Sequence, residues 1–218
     1  MIFERHELLV KLLSGCHILE ELETKYLGFH NGLRVPAEEF DGLLPSLVRA
    51  KIYCHDSIIP LHLVRNVETL HMEQAQLKWC SKLPMFHNLT HVKLKFFFNM
   101  WGWLQQMLQQ CHKLQSLVIQ GCEYQDRSWN DPPIVPKCLS LHLRTCCLAY
   151  CKGTESEIQF AKYILQNSKR LKTMKFKYNY CVNIKAKHQM TMELSSFAKG
   201  STMCEVVFEN LVINSITD

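Results

Sequence analysis

Leu89-Thr90-His91-Val92-Lys93-Leu94 decides the fold. Along a strand, residues two apart share a face, so Val92 and Leu94 turn inward while His91 and Lys93 turn outward. The phrase is an apolar residue, two variable residues, an apolar residue, one variable residue and a last apolar residue. Upstream it recurs as Val67-x-x-Leu70-x-Met72, as Leu47-x-x-Ala50-x-Ile52 and, with Thr24 in its last place, as Leu19-x-x-Leu22. Downstream it reads Leu114-x-x-Leu117-x-Ile119, Cys138-x-x-Leu141-x-Leu143, Leu171-x-x-Met174-x-Phe176 and Met203-x-x-Val206-x-Phe208. Copies begin roughly 20 to 33 residues apart, a spacing that signals stacked repeats. One such strand cannot bury its apolar face alone. Stacked one per repeat, the strands make a parallel sheet whose inner side is covered by the returning segments.

Those returning segments read as helices where they are long enough. Between Trp101 and Cys111, Leu104, Met107, Leu108 and Cys111 fall at helical spacing on one face. Thr154-Glu155-Ser156-Glu157 is a capping box: the Thr154 hydroxyl can accept from the Glu157 amide while the Glu157 carboxylate reaches back. It opens a helix with Ile158, Ala161 and Leu165 on one face beside Ile164. A third helix is predicted to run to about Ala198, with Met190, Leu194 and Phe197 on one side and Gly200 placed to end it. Alternating strands and helices at a repeat period predict an α/β solenoid of about eight repeats. A Rossmann-like sheet would need a glycine-rich phosphate loop, and the sequence has none.

The 218 residues are 47% hydrophobic, enough for a continuous core, and the formal net charge is +5. The N-terminus sets Glu4, Arg5 and Glu7 among its few apolar residues, unlike a secretory leader. The eleven cysteines therefore read as reduced thiols of a cytoplasmic or nuclear protein. The apolar runs fall short of a membrane span.

Eleven histidines and eleven cysteines invite a metal. His87 and His91 are four apart, but their segment reads as turn and strand, and no glutamate follows His87. Cys146, Cys147 and Cys151 lack the paired spacing of zinc modules. Cys16, Cys111 and Cys138 occupy pre-strand or strand positions, where each reads as a small buried hydrophobe. No nucleophile elbow or P-loop is present, so neither an enzyme nor a cofactor is expected. A thiol enzyme is the rival from another class, and it would show one unusually reactive cysteine. Lys169, Arg170, Lys172, Lys175 and Lys177 concentrate charge late in the chain. They alternate with core positions and have no aromatic stacking platform, so nucleic-acid binding is disfavoured.

The two-residue period assigns the outward face of the sheet. One column is Glu23, Lys51, His71, Lys93, Val118, His142, Lys175 and Val207. Its neighbour is Lys25, Tyr53, Glu73, Lys95, Gln120, Arg144, Lys177 and Glu209. Solenoids bind partners on this concave side. Lys51, His71, Lys93, Lys95, His142, Arg144, Lys175 and Lys177 are thus expected to form a mildly basic groove for an acidic or phosphorylated protein segment.

Ser14-Gly15-Cys16 before Leu19-Glu20-x-Leu22 is similar to the leucine-rich repeat of plant F-box/LRR/FBD-type proteins. So are Leu83-x-x-Phe86-x-Asn88-Leu89-Thr90-His91-Val92-x-Leu94 and Cys111-His112-Lys113-Leu114-Gln115-x-Leu117, although His17 and His112 stand where that family usually has proline. Trp129-x-x-Pro132-Pro133-x-Val135-Pro136-x-Cys138-Leu139 resembles the opening of an FBD domain. Lys152-Gly153-x-Glu155-x-Glu157, Phe160-Ala161-x-Tyr163-Ile164-Leu165-x-Asn167 and Leu171-Lys172-x-Met174 continue it. The resemblance implies leucine-rich repeats over 1–130 and FBD-like repeats, continuous with them, over 131–218. It also implies substrate recognition for a cullin-RING ubiquitin ligase, with a free-standing LRR/FBD binding protein as the alternative. Nothing before Ser14 resembles the helical F-box that docks a Skp-type adaptor, so adaptor docking is expected only with an F-box supplied upstream.

Overall fold

Each strand forms where apolar and polar residues alternate, and each ends within six or seven residues because the return must begin. The computed structural model describes residues 2–3, 6–25, 28–29, 42, 44–54, 61–74, 83–96, 101–121, 128–179 and 182–210. In chain order the elements are β1 (Ile2–Phe3), α1 (His6–Ser14), β2 (Glu21–Thr24), β3 (Gly28–Phe29), β4 (Arg49–Cys54) and β5 (Thr69–Gln74). Next come β6 (His91–Phe96), α2 (Trp101–Gln110), β7 (Ser116–Gly121), α3 (Lys137–Leu141) and β8 (Thr145–Cys151). Last are α4 (Glu155–Asn167), β9 (Thr173–Tyr178), α5 (Ile184–Ser196) and β10 (Glu205–Asn210). A 3-10 turn at Leu61–Val64 replaces a helix between β4 and β5.

Eight strands form one parallel sheet in the order β2-β4-β5-β6-β7-β8-β9-β10, and β1 pairs separately with β3. Spatial order equals chain order, so each strand pairs only with its predecessor and successor. That is the α/β solenoid which the repeated phrase predicts. Inward residues of the central strands are buried: Leu70, Val92, Leu94, Leu117, Ile119, Met174 and Phe176 are each at most 2% exposed, while Leu22 on β2 and Val206 and Phe208 on β10 are partly buried.

The two variable residues after the first apolar position have a structural cause. The amides of Thr90 and His91 both donate to the Glu68 carbonyl, at 2.9 and 3.0 Å. Gln115 and Ser116 donate likewise to Thr90, Arg144 and Thr145 to Gln115, and Lys172 and Thr173 to Arg144. Consecutive amides of a regular strand do not converge on one acceptor, so the chain bends here. The bend turns the preceding apolar residue inward, and Leu89, Leu114, Leu143 and Leu171 are at most 1% exposed.

One copy of the phrase is misplaced by the sequence. Cys138-x-x-Leu141-x-Leu143 is not a strand; Lys137–Leu141 is the short helix α3 behind Pro136. The operative copy is Leu143-x-x-Cys146-x-Leu148, and its strand is β8. Leu143 fits both readings, ending one and opening the other. Cys138 is buried, as expected of a small hydrophobe, but in α3. His142 and Arg144 therefore leave the sheet columns, where Cys147 and Ala149 take their places. His142 caps α3, its amide donating to the Cys138 carbonyl, and Arg144 lies in the bend before β8.

The capping box at Thr154 is present with both its hydrogen bonds. It is part of a larger cradle: the Glu157 carboxylate accepts from the amides of Lys152, Gly153 and Thr154 at 3.0, 2.7 and 2.9 Å. Burial pushes the Glu157 carboxyl above its ordinary value, while those three amides oppose the shift. Gly153 sits at φ +75°, which glycine adopts without steric cost. Ile158, Ala161, Ile164 and Leu165 are buried beneath the helix. Ahead of it, Trp129 packs edge-on to Trp101 and Phe160 and tilts against Tyr163, with ring centroids 5.6, 5.0 and 5.5 Å away. This aromatic cluster ties α2 to α4.

Gly200 does not end α5, which stops at Ser196 with Phe197 as its cap. Its amide donates to the Leu165 carbonyl at 2.8 Å, and a Cβ there would collide with the Gln166 carbonyl oxygen. Gly200 is required because the chain crosses the end of α4 at backbone contact. No described helix is long and apolar enough to cross a membrane.

Gly200→Ala should lower the unfolding free energy by about 1–3 kcal/mol, because the crossing must shift to admit a methyl group. Glu157→Gln should cost a similar ~1–3 kcal/mol by turning an amide NH2 toward buried backbone donors. Urea denaturation checks both; an unchanged midpoint in either variant would refute the corresponding contact.

Candidate functional site

The sheet face opposite the core carries the residues most free to meet a partner. Its first column runs Glu23, Lys51, His71, Lys93, Val118, Cys147, Lys175 and Val207. The second runs Tyr53, Glu73, Lys95, Gln120, Ala149, Lys177 and Glu209. Strand register thus brings Lys51, His71, Lys93 and Lys95 together on β4 to β6. Lys175 and Lys177 stand apart on β9. His142 and Arg144 are on neither column.

The face is less basic than its lysines suggest, because neighbouring strands supply carboxylates. Lys95 reaches Glu73 at 2.6 Å, Lys175 reaches Glu209 at 2.8 Å, and Lys177 lies 3.9 Å from the same carboxylate. Lys51 lies 3.6 Å from Glu23, which also pairs with Lys25 at 2.9 Å, and Arg49 pairs with Glu21. Hydrogen bonding to Glu209 raises the Lys175 ammonium, and the same bond lowers the Glu209 carboxyl. Burial, then the Lys93 charge, pushes the His71 imidazole below its ordinary value, so it is neutral at pH 7. Its ring meets Tyr53 edge-on at 5.8 Å. Lys93 is exposed and has no ion pair among the described residues.

Between the lysines of β6 and those of β9 lies an uncharged strip. Ser116, Val118 and Gln120 on β7 stand beside Thr145, Cys147 and Ala149 on β8. Thr145 donates its hydroxyl to Ser116 at 2.9 Å. The β8 half of this strip was missed because the phrase was placed five residues early; the signal was Cys146-x-Leu148, apolar at strand period.

The chemistry-bearing side chains elsewhere do not converge. His87 is exposed in the turn before β6 and His91 opens that strand, so the pair is not on one helix. Cys16, Cys111, Cys138, Cys146, Cys147, Cys151 and Cys204 are free thiols. Burial raises Cys111, Cys146 and Cys151 well above the usual thiol value, and it pushes Cys138 up to about 12. Burial also raises half-buried Cys147, with Lys177 and Lys175 opposing the shift. A raised thiol holds little thiolate at neutral pH and reacts slowly. In native protein, iodoacetamide should label Cys16 and Cys147 well before Cys111, Cys138, Cys146 and Cys151, as mapped by mass spectrometry. Early labelling of one of the four buried thiols would sink this assignment.

Comparison with known proteins identifies an FBD match over residues 131–176. That span holds α3, β8, the Glu157 cradle, α4 and part of β9. Among similar proteins of Arabidopsis thaliana, F-box/FBD/LRR-repeat protein At3g26920 is 35% identical, over 66% of this chain and 35% of its own length. Putative F-box/FBD/LRR-repeat protein At3g49030 is 33% identical over 91% of this chain and 47% of its own length. Putative F-box/FBD/LRR-repeat protein At5g56810 is 34% identical over 94% and 59% respectively. The chain thus spans between 35% and 59% of these relatives. No solved structure matches it.

Proposed function

The chain belongs with the plant F-box/FBD/LRR-repeat proteins, and from that premise we propose that its open sheet face recognises protein substrates for a cullin-RING (SCF-type) ubiquitin ligase. The observation that carries the proposal is the uncharged strip on β7 and β8, flanked by Lys93 and Lys95 on one side and Lys175 and Lys177 on the other. A bound segment lays small or apolar side chains on half-buried Val118 and Cys147. Acidic or phosphorylated residues to either side engage the lysines, Lys93 foremost. In this scheme residues 1–130 are leucine-rich repeats, and 131–218 are the FBD-like end continuous with them. The binding role is non-enzymatic, and a Skp-type adaptor engages only through an F-box.

The test joins the F-box segment of an Arabidopsis relative to this chain and compares it with Lys93→Glu plus Lys175→Glu in the same fusion. Both forms should capture the Skp-type adaptor, while the reversed form loses most of the other proteins retained at low salt. If both capture the same set, the sheet face is not the recognition surface. If neither captures the adaptor, the ligase role fails.

A further inference from the structure

Moving His142 and Arg144 off the sheet face places them on another surface. Each bend before a strand holds a residue whose carbonyl accepts amides from the next repeat. From β2 onward these residues are Glu20, Val48, Glu68, Thr90, Gln115 and Arg144, each taking two amides, and Lys172, which takes that of Glu205. The edge therefore changes sign, acidic over the early repeats and basic over the later ones. Two residues ahead of the last three stand Lys113, His142 and Arg170.

Arg144 and Lys172 are lateral neighbours, since the Lys172 amide donates to the Arg144 carbonyl at 2.7 Å. Arg144, Arg170 and Lys172 are exposed, and none has a side-chain ion pair or hydrogen bond among the described residues. Lys113 donates to the Asn88 side chain at 3.3 Å, and His142 is half-buried. The nearest carboxylate along the backbone ladder is Glu205, whose amide donates to the Lys172 carbonyl. This arrangement differs from the sheet face, where Lys51, Lys95, Lys175 and Lys177 already have carboxylates beside them.

We infer that the turns before β7, β8 and β9 form a second docking surface, in which Lys113, His142, Arg144, Arg170 and Lys172 bind a short acidic segment of a partner protein. The proposal does not depend on the function assigned to the sheet face. Three bends at about 4.8 Å per strand span roughly 10 Å, the reach of about three extended residues. Two or three carboxylates or phosphates on such a segment match these cations, and the arginines offer paired donors to either group. A nucleic acid fits less well. None of these residues is an aromatic platform for a base, and Glu20 and Glu68 repel a long polyanion farther along the same edge.

Fluorescence anisotropy at low salt tests this with the full chain and three labelled probes: a ten-residue Glu/Ser peptide, the same peptide with its serines phosphorylated, and a ten-nucleotide single-stranded DNA. At least one peptide should bind with an affinity that falls as salt rises. Replacing Arg144, Arg170 and Lys172 together by Gln should weaken it by roughly tenfold or more, a modest contribution from each exposed contact. Lys185→Gln should leave binding within about twofold, since that exposed side chain lies on α5, outside both the turns and the sheet face. Because the backbone ladder does not use the three side chains, their loss should leave the circular-dichroism spectrum unchanged. If the triple variant does not fold, Arg144→Gln alone is read instead, with at least a twofold loss expected. A tighter phosphopeptide assigns phosphate as the preferred anion, and equal affinities assign carboxylate. Failure of both peptides to bind, no loss in the variants, equal loss in Lys185→Gln, or DNA binding tighter than either peptide would each overturn the proposal.

Discussion

From β4 to β9, everything in this solenoid depends on one carbonyl in each repeat accepting two successive amides from the next. The Glu68 carbonyl takes Thr90 and His91; that of Arg144 takes Lys172 and Thr173. The double bond fixes where a turn becomes a strand, which way the preceding leucine points and how far the phrase must run before its second apolar residue. Deleting one residue from the Thr90–His91 pair would face Val92 toward solvent and Lys93 toward the core, because a strand's side chains alternate. The helices on the other side vary from the 3-10 turn at Leu61–Val64 to the thirteen residues of α4, but the bend repeats from β4 to β9.

Parallel in-register stacking also controls the charges. Equivalent positions in adjacent repeats lie one strand spacing apart, so a run of lysines in one column would repel itself. The sheet face avoids this by setting Lys51 beside Glu23, Lys95 beside Glu73, and Lys175 and Lys177 near Glu209. Such exposed pairs each contribute only about 0–1 kcal/mol. Their larger effect is on recognition, since a partner's carboxylate must compete with one already in place. Lys93, next to neutral His71 and the uncharged strip, faces no such competitor among the described residues.

Much of this was legible in the sequence because it is periodic. Apolar alternation located β4, β5, β6, β7, β9 and β10, and Thr154 with Glu157 announced the start of α4. The failure at Cys138 is instructive. Cys138, Leu141 and Leu143 satisfy the apolar template, but burial of adjacent Cys138 and Leu139 with exposure of Leu141 is a helical turn's pattern. Pro136, held at φ −57° ahead of α3, was the local clue. The purpose of Gly200 was beyond reach, because it depends on the Gln166 carbonyl of a different element. The neutralised lysines were within reach, because the predicted columns set Glu73 beside Lys95 and Glu209 beside Lys177 on adjacent strands.

The aromatic cluster has a consequence for how the stack comes apart. A solenoid's stability is nearly a sum of terms between neighbours, so terminal repeats fray first and opening propagates inward. Trp129 grips Trp101 from α2 together with Phe160 and Tyr163 from α4, joining two returning segments that flank α3. Fraying that enters from β10 must release this clamp before it can pass β8. The strip on β7 and β8 therefore sits behind this clamp, held in shape while β10 breathes.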